Sequence, residues 1–385
     1  MVVDFTMTEY YTRYIKKPVE QDLKERMVFV SGPRQVGKTI FSLSFLTYPG
    51  EKHPAYLNWD NPVTRSSLLR GELPPNEKCI ILDEIHKFAR WRNLIKGFYD
   101  TNKSEISFII TGSARLDFYR KGGDSLQGRY HYYRLHPFSL RELNAQPTKG
   151  DLETLLTFGG FPEPCLKGEE RFWRRWQRER LQRVIYEDIR DLENVKEISL
   201  LELLAEELPN RIGAPLSIKK LKELLQVAHE TVERWLKIFD RMYYCFRIPP
   251  YGPPRIRAVK KEQKLYLWDW SLVPEPGPRF ENFIASQLLK YCHFIEDTEG
   301  FRMDLRFLRD TDKREIDFVV LRESRPLFAV ECKTGEKNIN PSLFYFKERT
   351  DIPKLYQVHQ GIRDYEKNGI RVLPVETFCS ELGMP

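Results

Sequence analysis

Apolar positions along this chain fall into runs of two kinds. Met27-Val28-Phe29-Val30, Cys79-Ile80-Ile81-Leu82 and Ser107-Phe108-Ile109-Ile110 are short and almost uninterrupted. Such runs predict strands buried on both faces of a sheet rather than strands with one wet face. Residues 40–46 open a helix after the first strand, and residues 130–135 read as a last strand. Strands alternating with helices across residues 26–115 predict an α/β unit with a parallel sheet covered on both sides. Residues 1–25, ahead of the first strand, read as helical.

Further along, the period changes. Residues 150–195 read as mostly helical, broken by Phe158-Gly159-Gly160-Phe161-Pro162-Glu163-Pro164. Within 197–250 the pattern is helix-turn-helix. Ser217 can cap a helix over Ile218–Leu225, and Gln226-Val227-Ala228 forms the turn. A second helix over 229–239 gathers Val232, Trp235, Leu236 and Phe239 on one face. A strand over 242–248 makes a winged variant the expectation, with His229, Glu230, Glu233, Arg234 and Lys237 on the outer face of the second helix. Residues 249–254 hold four prolines and one glycine and read as a linker. Beyond it a helix is expected over 280–291, and strands over 315–320 and 327–333. No internal repeat or low-complexity tract interrupts the chain.

At 385 residues the chain should hold two to four domains. A hydrophobic fraction of 41% suits packed cores, and no run of about 18 apolar residues predicts a membrane span. Glu9, Arg13, Lys16 and Lys17 interrupt the start, so no signal segment is expected. The six cysteines are scattered without a C-x-x-C pair, which argues against zinc and disulfides and for a reducing cytoplasm. The net charge of +7 is moderate; its distribution says more. Arg171-Phe172-Trp173-Arg174-Arg175-Trp176-Gln177-Arg178-Glu179-Arg180 is basic and aromatic, and 253–261 is a second basic cluster. Both could meet DNA phosphates. For the first, the alternative is an amphipathic helix with its aromatics inward and its arginines solvated.

The densest chemistry lies between the first strand and its helix. Gly32-Pro33-Arg34-Gln35-Val36-Gly37-Lys38-Thr39 fits G-x-x-x-x-G-K-[ST] at every fixed position. Strand, glycine loop and helix turn successive N–H groups toward phosphates. Lys38 can reach the β/γ-phosphates of ATP, and the Thr39 hydroxyl can hold Mg²⁺. Asp83-Glu84 ends the second buried run: Asp83 would serve the Mg²⁺ and Glu84 the attacking water. At the end of the third run, Ser113 is a candidate to hydrogen-bond the γ-phosphate or that water. Arg129, after a glycine near the end of the core, is a candidate for the γ-phosphate of its own or a neighbouring subunit, with Arg115 as runner-up and a surface salt bridge as the plain alternative.

A second constellation lies in the last third. Asp317 stands on one expected strand, and Glu331 and Lys333, two apart, share a face of the next. Glu281 lies on the expected helix. Two carboxylates beside a lysine suit a divalent metal that activates water, in the D…E-x-K pattern of the restriction-endonuclease-like fold. A surface ion-pair strand is the alternative.

Taken in order, Ser31 through Thr39, Leu82-Asp83-Glu84-Ile85, Ile110-Thr111-Gly112-Ser113, Leu126-Gln127-Gly128-Arg129, Gly159-Gly160-Phe161-Pro162, Phe280-Glu281-Asn282, Arg314-Glu315-Ile316-Asp317-Phe318 and Glu331-Cys332-Lys333 resemble the prokaryotic AAA+ P-loop ATPases that carry a C-terminal domain of unknown function. The resemblance implies an α/β chain: an AAA+ P-loop core at 1–145, a helical lid region at 146–195, a winged helix-turn-helix at 196–255 and a restriction-endonuclease-like domain at 256–385. It implies ATP and Mg as cofactors, an ATPase activity and a homo-oligomer, with a ring as one form. It leaves open whether the C-terminal site cuts. Two function classes follow: an oligomeric motor on branched or duplex DNA, or an ATP-controlled signalling or defence switch working through protein partners. Neither needs a membrane.

Overall fold

Five strands carry the first unit of the chain, Met1–His136. They are β1 (Met27–Ser31), β2 (Tyr56–Asn58), β3 (Cys79–Asp83), β4 (Ser107–Thr111) and β5 (Tyr130–Arg134). The computed structural model describes residues 12–112, 126–189, 197–253 and 262–385. All pairings in this sheet are parallel, in the order β2-β3-β4-β1-β5. Each residue of β1 is buried, as are all but the first of β3 and β4, so continuous apolar runs meet cover on both faces. Helices α1 (Lys16–Asp22), α2 (Lys38–Leu43), α3 (Pro62–Leu69) and α4 (Trp91–Asn102) accompany the strands. On one face Phe29, Ile80, Leu82, Phe108 and Ile110 pack with Trp91, Ile95 and Phe98 of α4.

The parallel arrangement brings the C-terminal ends of β1, β3 and β4 to one edge. Thr111 is level with both Val30 and Asp83. Ligands of open α/β sheets bind at such an edge. The loop leaving β1 turns sharply there. Gly32 has φ +142°, Gln35 φ +61° and Gly37 φ +91°. Arg13, buried ahead of α1, donates from Nη1 to the Val36 carbonyl at 2.8 Å and from Nη2 to the His136 carbonyl.

The second unit, Pro137–Pro385, opens with a one-turn helix over Leu140–Leu143, followed by helices α5 (Lys149–Phe158), α6 (Pro162–Lys167) and α7 (Glu170–Arg183). The Gly159-Gly160-Phe161-Pro162 break is a close-packing point. A Cβ on Gly159, whose φ is +77°, would lie 2.5 Å from Asp269 Oδ1, and one on Gly160 would lie 2.5 Å from the Trp270 ring. Asp269, itself buried, accepts from Gln177 Nε2 at 2.7 Å and from Ser271 Oγ at 2.6 Å. The basic stretch on α7 is therefore two-faced. Trp176, Gln177 and Arg180 are buried, while Arg171, Arg174, Arg175 and Arg178 are exposed.

Next come α8 (Ile198–Glu207), α9 (Ile218–Leu225) and α10 (His229–Arg241), then an antiparallel pair, β6 (Cys245–Ile248) with β7 (Lys264–Leu267). Ser217 caps α9 by accepting from the Lys220 N–H. The expected strand over 242–248 starts later, at Cys245, because Tyr243 takes a positive φ of 57° and cannot extend the ladder. The expected helix over 280–291 is longer, α11 (Pro276–Glu299), begun by a proline in its first turn and stopped by left-handed Gly300.

The last six strands form one mixed sheet, ordered β12-β13-β11-β10-β9-β8. They are β8 (Met303–Arg309), β9 (Glu315–Arg322), β10 (Arg325–Lys333), β11 (Leu355–His359), β12 (Tyr365–Lys367) and β13 (Ile370–Pro374). β8, β9 and β10 run antiparallel in turn, and β10, β11 and β13 run parallel. Leu308, Ile316, Val319, Ala329, Leu343 and Phe346 belong to the core of this sheet.

Among the described glycines of the first unit, Gly32 has the closest neighbour. A Cβ there would stand 2.3 Å from the Leu135 carbonyl oxygen. Gly32→Ala should cost on the order of 1–3 kcal/mol of backbone strain and displace the loop, seen as an earlier urea midpoint and weaker nucleotide binding.

Candidate functional site

Asp83 is the centre of the first site. It is 5% exposed, and a carboxylate that deep needs donors. Thr39 Oγ1 donates to Oδ2 at 3.1 Å, the Tyr56 hydroxyl donates to the same oxygen at 2.7 Å, and Thr111 Oγ1 donates to Oδ1 at 2.5 Å. These donors come from α2, β2 and β4, so one carboxylate ties three elements at the strand ends. Lys38 Nζ donates to the loop's own carbonyls, Gly32 O at 3.0 Å and Pro33 O at 2.8 Å. The glycine loop, the lysine at its rim and a hydroxyl joined to a carboxylate fit a magnesium nucleotide: Thr39 and Asp83 would hold the ion, and Gly32 through Thr39 the phosphates.

Glu84 follows Asp83 with φ +56°. A non-glycine residue held left-handed is costly and marks a position the surroundings dictate. Burial, then the neighbouring Asp83 charge, raises the Glu84 pKa above the ordinary carboxylate range, with Lys87 and Lys38 opposing. Tyr56 has its hydroxyl held protonated by burial and by Asp83. Nothing in the sequence singled out Tyr56: its strand is three residues long, too short for a periodic signal.

Arg129 lies elsewhere. It precedes β5, and its carbonyl accepts from the Met27 N–H at the start of β1. The P-loop leaves the other end of that five-residue strand, about 16 Å away at about 3.3 Å per residue. Its guanidinium is paired with Asp100, Nε–Oδ1 2.8 Å and Nη2–Oδ2 3.1 Å. The expectation that Arg129 serves its own subunit's γ-phosphate is therefore corrected: parallel pairing puts it on the opposite edge of the sheet. Ser113, Arg115 and residues 254–261 of the second basic cluster lie outside the described residues.

In the second unit, Glu281, Asp317, Glu331 and Lys333 come together. Phe318 pairs with Val330 across β9 and β10, which sets Asp317 opposite Glu331 on one face. Lys333 Nζ reaches Glu331 Oε1 at 2.6 Å, and Asp317 Oδ2 accepts from the Cys332 N–H at 2.8 Å. Two residues that the sequence did not single out complete the group. Lys264, from β7, is wholly buried and lies 2.9 Å from Glu281 Oε1, 2.5 Å from Glu315 Oε1 and 3.6 Å from Asp317 Oδ1. Tyr266 donates to Glu281 Oε1 at 2.7 Å.

Burial alone would lower the Lys264 pKa, but Glu281, Asp317 and Glu315 outweigh it and hold the proton on. Burial, then Glu331 and Glu281, pushes Asp317 well above the usual carboxylate range. This set does not fit the divalent ion expected at Asp317 and Glu331, because an ammonium already stands among the carboxylates. Among the described residues no group of three or more His, Cys, Asp or Glu is arranged to hold a metal ion.

Residues 24–144 match the family model of an AAA domain, and with the loop and acidic pair at the strand ends this part of the chain is an AAA-type P-loop ATPase domain. Residues 149–275 and 276–378 match two further models, each a domain of unknown function, DUF8612 and DUF4143. Two uncharacterised proteins of Methanocaldococcus jannaschii are similar along most of the chain. One is 22% identical, spanning 94% of this chain and 88% of its own; the other is 25% identical, spanning 84% and 78%. Among solved structures, the Aeropyrum pernix ORC1 protein in complex with DNA covers 71% of this chain and 94% of its own at 14% identity and TM-score 0.33. The Thermotoga maritima RuvB Holliday junction branch migration motor covers 61% and 89% at 16% identity and TM-score 0.32. So loose a likeness says nothing of what this chain acts on. Among the described residues no helix is long and apolar enough to cross a membrane.

Tyr56→Phe removes one of three donors to Asp83. The loss should be about 1.5–3 kcal/mol, the range for a hydrogen bond to a charged group, measured by denaturant unfolding. The Mg²⁺ concentration for half-maximal ATP hydrolysis should rise a few-fold as the carboxylate loses its orientation.

Proposed function

We propose that this protein is a Mg²⁺-dependent ATPase that acts on DNA as a homo-oligomer, with residues 196–255 as its winged helix-turn-helix. The observation that carries the DNA reading is the charge on the outer surface of α9 and α10. Lys219, Lys220, Lys222, Arg234, Lys237 and Arg241 are exposed there against Glu223 and Glu230, six cations to two carboxylates. Glu233, which would have opposed phosphates, is turned to Arg247 at 3.2 Å. The apolar residues of α10, Val232, Trp235, Leu236 and Phe239, are buried, so the polar face is the one a groove would meet. The exposed arginines of α7 add to the same character.

In the ATPase domain, Lys38 places its charge on the terminal phosphates, and Thr39 with Asp83 hold the ion. Glu84 orients the attacking water, and Ser113 hydrogen-bonds that water or the γ-phosphate. Bound MgATP supplies the phosphoanhydride and a divalent charge that neutralises its oxygens. Arg129, at the far edge of its own sheet, serves a neighbouring subunit's nucleotide. Its pair with Asp100 is partly exposed, and exposed pairs hold weakly, so it is available for exchange.

Lys38→Ala should weaken ATP binding and abolish hydrolysis, while Glu84→Gln should keep binding and lose turnover by at least about tenfold. Glu84→Gln hydrolysing at the native rate would remove Glu84 from the reaction. Mixing Glu84→Gln with Arg129→Ala protein should restore part of the activity if the arginine acts between subunits.

For DNA, fluorescence anisotropy with duplex and four-way-junction probes should show binding that falls steeply with salt. Replacing Lys219, Lys222, Arg234 and Lys237 by Gln should weaken it on every sequence and flatten the salt slope. An ATPase rate unchanged by DNA, with no binding at low salt, would instead favour a switch that works through protein partners.

A further inference from the structure

Arg13, which in the sequence only interrupts the start of the chain, is 6% exposed in the fold. Arginines are almost never buried so deeply unless their donors are used. Two of its contacts are backbone carbonyls that lie far apart in sequence. Nη1 donates to Val36, inside the P-loop, at 2.8 Å, and Nη2 donates to His136, just past β5. The contacts around it tie the same parts together. The Tyr14 hydroxyl donates to the Arg134 carbonyl and accepts from the His136 N–H at 3.3 Å. The Leu135 N–H donates to the Ser31 carbonyl at 2.8 Å. Lys16 Nζ donates to the Ser44 carbonyl at 2.9 Å and to the Ser44 hydroxyl at 3.0 Å. The segment ahead of β1 therefore grips the P-loop, the far end of α2 and the chain leaving β5.

The grip on Val36 has a directional consequence. The peptide joining Val36 to Gly37 is trans, and a trans peptide is planar, with its C=O and N–H pointing opposite ways. The carbonyl is turned to a buried guanidinium, so the Gly37 N–H is turned away from it. In a loop of this pattern the backbone N–H groups cradle the α/β-phosphates of a nucleotide. The loop needs outside support to hold that peptide. Gln35, one residue before Val36, takes φ +61°, a conformation that persists only where the surroundings impose it. A planar guanidinium can hold two carbonyls in a fixed fork, which the single ammonium of a lysine cannot.

We propose that Arg13 is a positioning residue for the phosphate cradle: by holding the Val36 carbonyl inward, it aims the Gly37 N–H at the nucleotide. It acts through the Val36–Gly37 peptide and touches no phosphate itself. Its second hold, on His136, fixes the guanidinium against the end of β5, so the loop is set by the sheet as well as by its own glycines. The inference rests on the ATPase reading of the P-loop and is independent of the DNA reading.

The test uses the full chain, with MgADP as the probe in titration calorimetry and ATP in steady-state kinetics. Arg13→Met should weaken MgADP binding by at least about tenfold, as expected for one lost hydrogen bond to a charged oxygen. The KM for ATP should rise to match. kcat should stay within about threefold, because a contact made alike before and during transfer affects binding only. Arg13→Lys keeps the buried charge but can hold one carbonyl at most. It should weaken MgADP binding severalfold, and it carries the test if Arg13→Met does not fold. Ser107→Ala is the stability control. The Ser107 hydroxyl donates to the Leu23 carbonyl at 3.0 Å, tying the same leading segment to the opposite end of the sheet. Its loss should lower the urea midpoint and leave MgADP affinity unchanged. A folded Arg13 variant with wild-type MgADP affinity would overturn the inference. So would a fall in kcat at unchanged KM, or an equal loss of affinity in Ser107→Ala. Wild-type protein that neither binds MgADP nor hydrolyses ATP would instead remove the ATPase reading on which the inference rests.

Discussion

A carboxylate taken out of water must be met by donors or by a cation, and this requirement organises both units. Asp83, Asp269 and Asp317 each lie at a junction of elements distant in sequence. Asp83 gathers Thr39, Tyr56 and Thr111 at the ends of parallel strands. Asp269 gathers Gln177 and Ser271, with Arg180 at 3.9 Å. Asp317 meets Lys264 and the Cys332 N–H. Left unpaired, any one would cost several kcal/mol, so the elements that bring the donors are held in register by the acid itself.

The same requirement separates what reacts from what only supports. Asp83 is satisfied three ways, which suits a residue that must present one oxygen in a fixed direction. Glu84, next to it, is held left-handed beside a like charge, with Lys87 and His86 at 3.4 and 3.6 Å. Burial and the Asp83 charge raise its pKa, the kind of perturbation that sets a residue apart from a purely structural acid. In the second unit the balance runs the other way. Lys264, with Lys333 and Arg309 beside it, offsets the charge of the pocket, and the carboxylates hold β7 in place.

Charge on α7 shows the division within one helix. Arg180 lies 4.1 Å over the Phe161 ring, deep beside Asp269, while four arginines of the same segment face solvent. A basic stretch read as one patch is thus two populations, one packed against the Gly-Gly-Phe-Pro break and one facing solvent.

The ATP site was legible because its chemistry is local. Gly32 through Thr39 needs only consecutive backbone, and Asp83-Glu84 needs only the end of an apolar run. The buried runs themselves announced the parallel sheet, since β-strands covered on both faces leave no polar period. Glu281, Asp317, Glu331 and Lys333 were also legible, two of them by the two-residue repeat of one strand. What tertiary structure alone decided were the partners and the sides. Tyr56 reaches Asp83 from a strand of three residues. Lys264 sits in a strand whose every position is buried, so no alternation distinguishes its face. Arg129 lies at the wrong edge because parallel pairing, not sequence distance, sets which strand ends meet. Local spacing specifies a motif and the residues it needs; which distant charge faces it depends on strand order and register, and those are settled only when the whole core packs.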